Sequence, residues 1–188
     1  MITTYTFPYD SIKDRIIIDK CFVTLPSEDP DSRGIEYKAL WDTGAMSTCI
    51  SVRLAQAMGL IETDHTKVTG ANNVPFAAPL YDVQIKMGSY LIPFKRVIGL
   101  PMCNEYDLII GMDIITHGDL SITNYDGHTV ITFRTPSLER IDFVSELRDF
   151  QKFRKIHDLN IKRKIPDKCA CGSGKDYKNC HGKSPYSK

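Results

Sequence analysis

Along most of the chain, apolar and polar positions change over with the short period of β-strands, and punctuation by Gly, Asn, Asp and Pro recurs every few residues. Arg15 to Leu25 reads as an Ile- and Val-rich strand, followed by the turn-forming stretch Ser27 to Gly34. Ile35 to Trp41 alternates and then becomes continuously apolar, as a strand entering a core does. Ser47 to Ile50 begins another short strand, and Ser51 to Leu60 reads as a short helix closed by Gly59. Strands are predicted at His65–Thr69, Val74–Met87 and Tyr90–Leu100. Gly70-Ala71-Asn72-Asn73 joins the first two and Gly88-Ser89 the last two, with residues that tolerate positive φ. Asp107 to Ile110 is an apolar strand ending at Gly111, and Ile114 to Gly118 reads as a short helix. Leu120–Asn124 and His128–Phe133 form a last hairpin around Tyr125-Asp126-Gly127. Many short strands with few short helices predict a mostly-β, closed-barrel domain.

Beyond Pro136 the period changes. Leu138, Ile141, Val144, Leu147 and Phe150 fall at helical spacing with charges between them, and Asp149 to Ile156 continues the pattern. This predicts an amphipathic helix of several turns, packed on the body or serving as a spacer. The charge also changes sign here: the net charge is −5 through Pro136 and +6 beyond it, within a whole-chain value of +1. An acidic body with a basic tail suggests two functional parts.

Composition is that of a globular protein, 42% hydrophobic and 25% charged, and global charge selects no partner. Cys21, Cys49 and Cys103 are scattered through apolar body segments and read as small hydrophobes rather than half-disulfides. The first residues show no basic region followed by an apolar run, and no segment approaches the ~20 apolar residues that span a bilayer. A reducing, cytoplasmic compartment is expected, with no membrane partner. His65, His117, His128 and His157 are scattered singly and read as surface or satisfied residues.

The chemistry concentrates in two places. The first is Trp41-Asp42-Thr43-Gly44-Ala45, where an aspartate follows the apolar Ala39-Leu40. A carboxylate sent toward a core is costly unless it is paired, hydrogen-bonded or used. Thr and Gly after it allow a tight turn. With the later Asp107-Leu108-Ile109-Ile110-Gly111-Met112-Asp113, this stretch resembles the retropepsin-like (retroviral-type) aspartic proteases. That family has apolar-apolar-Asp-Thr/Ser-Gly-Ala and, later, apolar-apolar-Gly before a short helix. The resemblance covers about Ile16 to Phe133.

It implies an acid-protease barrel that works as a homodimer, because the chain holds a single Asp-Thr-Gly. It makes Asp42 the catalytic carboxyl, duplicated by a two-fold axis. Thr43 would bond backbone across the dimer, and Gly44 would give the turn and leave its N–H for the carboxylate. Relatives of the pepsin type carry Ser or Thr where Ala45 stands. The missing hydroxyl predicts a higher-lying carboxyl pair and activity at less acidic pH. Gly70, Ala71, Asn72, Asn73 and Val74 fall where the family's substrate-binding flap lies. Trp41 is expected to pack in the core or line the site.

The second concentration is Cys169-Ala170-Cys171-Gly172-Ser173-Gly174-Lys175-Asp176-Tyr177-Lys178-Asn179-Cys180-His181. Three thiols and an imidazole in so short a segment suit tetrahedral Zn²⁺. An element this small has no core of its own, so metal binding would supply its folding energy. The segment resembles the SEC-C motif, Cys-x-Cys-Gly-Ser-Gly-Lys-x-Tyr-x-x-Cys-Cys/His. That implies a structural zinc held by Cys169, Cys171, Cys180 and His181, and contact with protein or ribosomal partners, a chaperone among them. Lys162-Arg163-Lys164 and the lysines after them add a positive field that could attract RNA.

The expected organisation is a retropepsin-like aspartic protease domain over 1–136, a helical linker over 137–165 and a zinc-binding SEC-C motif over 166–188. The expected function is a homodimeric aspartic endopeptidase acting on peptide or protein substrates, needing no cofactor for catalysis. The alternatives are a non-catalytic peptide-binding module and a ribosome- or RNA-associated adaptor.

Overall fold

The computed structural model describes residues 2–26, 35–70, 73–148, 173–176 and 179–180. The chain divides into two units at Glu139/Arg140. The first is mostly β, with ten strands and two short helices among the described residues. In chain order these are β1 Thr3–Pro8, β2 Ile17–Thr24, β3 Ile35–Trp41, β4 Cys49–Ser51, α1 Val52–Ala57, β5 Asp64–Thr69, β6 Pro75–Met87, β7 Tyr90–Leu100, β8 Leu108–Ile110, α2 Met112–Ile115, β9 Asp119–Thr123 and β10 Val130–Thr135.

Six strands close into a barrel in the order β2-β3-β8-β4-β7-β6, with β6 returning to β2, while β5 extends the sheet beyond β6. The closure depends on a bulge. Ile18 faces Ala39 but Cys21 faces Tyr37, and within the bulge Lys20 takes φ 68°. The extra residue bends and twists β2. Cys21 to Val23 then lie between β3 on one side and β6 on the other. The barrel is filled from all its strands: Ile18, Ala39, Ile50, Val83, Val97 and Leu108 are each at most 1% exposed.

The last hairpin is not a barrel stave. It forms a separate three-stranded sheet, β1-β10-β9, all antiparallel. The pattern of alternation in Thr3 to Pro8, half-buried at every second residue, belongs to a strand that the sequence reading left out. This sheet shares the barrel's core through Ile131 and Phe133. The Phe133 ring lies 5.2 Å from Trp41 and 5.6 Å from Tyr90, centroid to centroid. Trp41 therefore packs in the core.

Local signals work as the residues require. Ser51 caps α1 by accepting the Leu54 amide at 3.0 Å, and Gly59 takes φ 64° to end it. Of the three body cysteines, Cys21 and Cys49 are buried and Cys103 is exposed, against the expectation for all three. Burial pushes the Cys21 thiol up to about 12, so it stays protonated.

In the second unit the described helix covers 143–148, later than the periodicity from Leu138 predicts. The Asp142 carboxylate accepts the amides of Val144 and Ser145, each at 3.1 Å, and so caps the helix after itself. The continuation through Phe150 and Ile156, and His157, fall outside the described residues.

Candidate active site

Asp42 stands directly after β3, where the strand leaves the barrel. The end of that strand is held on two sides. The Trp41 amide donates to the Ile16 carbonyl at 2.9 Å and the Asp42 amide to the Ile110 carbonyl at 3.0 Å. The parallel pairing of β3 with β8, Trp41 opposite Ile110, thus sets where the carboxyl begins. The chain then turns: the Ala45 amide donates to the Asp42 carbonyl at 3.2 Å. The Gly44 N–H donates to Asp42 Oδ1 at 2.8 Å, so the carboxylate is oriented by its own turn. Asp42 is half-buried, while Thr43 and Gly44 are exposed.

The second half of the loop hangs on the chain after β8. Met112 and Asp113 donate their amides to the carbonyls of Ala45 and Met46, at 2.8 and 3.2 Å. Gly111 makes this approach possible. A β-carbon there would lie 2.6 Å from the Ser47 carbonyl carbon and 2.7 Å from its oxygen, distances real side chains do not tolerate. The Ile109-Ile110-Gly111 motif is therefore the floor beneath the Asp42 loop.

Three residues complete that floor. Asp113 Oδ1 accepts the Thr48 amide at 2.9 Å and its hydroxyl at 2.7 Å, and the Thr48 hydroxyl oxygen accepts the Gly111 amide at 3.2 Å. Lys95, reaching from β7, places its Nζ 2.6 Å from Asp113 Oδ2. Burial alone would push the Asp113 carboxyl up. The hydrogen bonds from Lys95 and Thr48, with the Lys95 charge, outweigh it and hold the group below the usual carboxylate range. Beside them the Cys49 thiol is pushed up to about 12, first by burial and then by the charges of Asp113 and Asp42. The sequence pattern points to Asp113 only as the end of the Ile109-Ile110-Gly111-Met112-Asp113 stretch, and does not point to Thr48 or Lys95. The available signal was a threonine within the Asp42 loop and a lysine within the apolar Tyr90–Leu100 run.

Of the predicted flap residues, Gly70, Asn73 and Val74 lie between β5 and β6. Thr69 pairs with Pro75, the Asn73 amide donates to the Gly70 carbonyl at 3.0 Å, and Asn73 takes φ 57°. Val74 and Phe76 are exposed, and Ala71 and Asn72 lie outside the described residues. An open concavity of about 700 Å³ lies elsewhere, lined by Tyr9, Arg15, Asp19, Tyr37, Lys38 and Glu105 among others, toward the opposite end of β3 from Asp42.

Of the predicted metal ligands, Cys169, Cys171 and His181 lie outside the described residues. Cys180 is half-buried, with its Sγ 3.4 Å from the Ser173 hydroxyl. Among the described residues no group of three or more His, Cys, Asp or Glu is gathered for a metal. No helix among them is long and apolar enough to cross a membrane.

Residues 32–117, which contain Asp42, Gly111 and Asp113, match the family described as "gag-polyprotein putative aspartyl protease". Residues 166–183 match the SEC-C motif. Among solved structures, the chain is similar to a retropepsin-like aspartic protease from Rickettsia conorii, with 14% identity, a TM-score of 0.46, and 72% of this chain and 96% of that one covered. It is also similar to the EIAV protease in complex with an inhibitor, with 16% identity, a TM-score of 0.42, and coverage of 57% and 89%. A third likeness is to the retroviral protease-like domain of Ddi1 from Leishmania major, with 15% identity, a TM-score of 0.38, and coverage of 68% and 97%. No curated protein matches the chain.

Proposed function

We propose that this chain, which joins an aspartyl-protease-type segment to a SEC-C motif, is a homodimeric aspartic endopeptidase. One observation carries the reading. Asp42, half-buried, directly follows a core strand, its carboxylate aimed by the Gly44 N–H at 2.8 Å, in a loop pinned from below at Gly111. Such pinning is how a reacting group keeps its geometry.

Hydrolysing a peptide bond with no metal and no covalent nucleophile needs an activated water and a protonated leaving amine. Two carboxyls about 3 Å apart cannot both ionise, so they share one proton. The charged one takes a proton from water while the neutral one polarises the scissile carbonyl. The pair titrates as a unit. One chain offers one Asp-Thr-Gly, and a two-fold axis sets the second opposite the first. Thr43, exposed in the protomer, is free to bond the partner's backbone. The β5–β6 hairpin, with Gly70 to Val74 at its tip, closes over an extended substrate and excludes water.

The SEC-C segment supplies a second function. Cys169, Cys171, Cys180 and His181 form a thiol-rich donor set that fits Zn²⁺ in a closed, structural site. The metal's contribution is folding energy for a segment without a core. The segment docks a protein or ribosomal partner, with the basic tail favouring RNA nearby. The protease domain spans 1–136, the helical linker 137–165 and the zinc motif 166–188, and the protein works in the cytoplasm.

The test is cleavage of a broad peptide library by the full chain, beside Asp42→Asn, with the assembly of both followed by sedimentation. Cleavage by the dimer that disappears in an equally dimeric Asp42→Asn is the expected result. Equal cleavage by the two, or a protomer that never pairs, removes the assignment.

A further inference from the structure

We propose that Lys95 is a positioning residue for the Asp42 reaction: it supplies the counter-charge that lets an ionised Asp113 hold the catalytic loop without imposing its own field on Asp42. This rests on reading Asp42 as the catalytic carboxyl.

The geometry separates two jobs of Asp113. Its Oδ1 takes the Thr48 amide and hydroxyl, which fixes the loop. A neutral Asn could still accept both of those hydrogen bonds, though more weakly than a carboxylate does. What the carboxylate adds is negative charge beneath a loop whose own carboxyl must give and take a proton. A like charge near a carboxyl pair raises both of its apparent pKa values. Asp113 Oδ2 is turned away from Thr48 and meets Lys95 Nζ at 2.6 Å. The two side chains are 18% and 26% exposed, so water screens the pair little. Lys95 comes from β7 and Asp113 from the first turn of α2, so nothing local in the chain forces them together. A tight ion pair presents a dipole to its surroundings, and a dipole's field fades faster with distance than that of a lone charge.

The charged group paired with Asp113 is Lys95 from β7, and the titratable group that feels it is Cys49 from β4. Asp113 is tied to the Asp42 loop at two points, its amide donating to the Met46 carbonyl at 3.2 Å and its Oδ1 accepting the Thr48 amide at 2.9 Å, and the charges of both Asp113 and Asp42 reach the Cys49 thiol. Cys49 itself stays neutral over the working range, so Lys95 is the group that balances Asp113. Each subunit of a dimer carries its own Lys95–Asp113 pair, one beneath each half of the shared carboxyl site.

Four chains test this: wild type, Lys95→Met, Asp113→Asn and the double variant, with kcat/KM followed against pH. Lys95→Met leaves Asp113 unbalanced and moves the whole bell to higher pH, by about half to one unit. Asp113→Asn leaves Lys95 unbalanced and moves it lower. The double variant, neutral at both places and still able to hold Thr48, returns it to the wild-type position. A bell unmoved in Lys95→Met, or a double variant still displaced, overturns the inference. Should Lys95→Met not fold, Asp113→Asn decides: an unmoved bell there overturns it equally. Titrating the Asp42 carboxyl carbon by NMR in the same chains reads the same displacements without turnover. If wild type cleaves nothing, the protease reading falls, while the NMR shifts still decide the role of Lys95.

Discussion

The Thr48 hydroxyl joins two pieces of chain that are more than sixty residues apart: it donates to Asp113 Oδ1 at 2.7 Å and accepts the Gly111 amide at 3.2 Å. Thr48 is fully buried, so neither bond has water as a substitute. Thr48→Val keeps the shape and removes both bonds. It leaves the Gly111 N–H without its acceptor, and the expected cost is about 1–3 kcal/mol. The urea midpoint should fall with an unchanged m-value, and peptide cleavage should fall with it. A midpoint equal to wild type would show that the hydroxyl contributes nothing to holding the loop.

Gly111 and Gly59 make a contrast between two kinds of glycine. At Gly111 the obstacle is backbone, 2.6 Å away at Ser47, so Gly111→Ala must push the Asp42 loop off its floor. Cleavage should drop by at least about a hundredfold, with destabilisation of about 1–3 kcal/mol. At Gly59 there is open space and only φ 64° to satisfy, so Gly59→Ala should cost about 1 kcal/mol and leave cleavage alone. Comparing the specific activities of the folded variants separates the two. Equal activities would mean that the floor does not position Asp42.

Acid should weaken the fold through carboxylates held below their usual range. In Asp82 the cause is first the Arg96 hydrogen bonds, at 2.8 and 3.0 Å, opposed by burial and aided by the Arg96 charge. Asp113 is lowered as well, its partners outweighing burial. A carboxyl whose folded pKa is depressed stabilises above its unfolded value, about 4. That stability drains away as pH falls through the folded value. Urea midpoints should therefore decline between about pH 5 and pH 2. Asp82→Asn should make the decline shallower, and an identical slope would exclude this pair as a contributor.

Chelation should separate the two ends of the chain. The purified protein should release about one zinc per chain, the complement of a four-ligand site. Cys180→Ser should lower that stoichiometry. Cleavage of short peptides should survive chelation, because no step at Asp42 uses a metal. Cleavage that stops on chelation and returns with added zinc would tie the metal to the protease.

Much of the fold could be read from the chain because its strands are bounded by local chemistry. Ile35–Trp41 and Tyr90–Leu100 have the limits the pattern predicts, since turn-forming residues flank both. The Asp42 loop and its Ile109-Ile110-Gly111 floor were legible for a related reason: close backbone approach leaves glycine as its mark. β1 was not legible, because Thr3 to Pro8 becomes a strand only by pairing with β10, from Thr3–Thr135 to Pro8–Val130. Nor was the Lys95–Asp113 pair, which depends on how β7 lies against α2. The late start of the helix over 143–148 was written in Asp142, a capping residue that the periodic apolar positions around it obscured.

Trp41 is the chain's sole tryptophan, and it is the residue before Asp42. Its indole nitrogen is buried without a hydrogen-bond partner, and its ring rests on Phe133. Emission excited at the red edge of absorption, where the nine tyrosines contribute little, therefore originates at one spot, the last rung before the aspartate. A ligand that disturbs the loop, or a second subunit that settles over it, would register there as a change in emission wavelength, with no label attached.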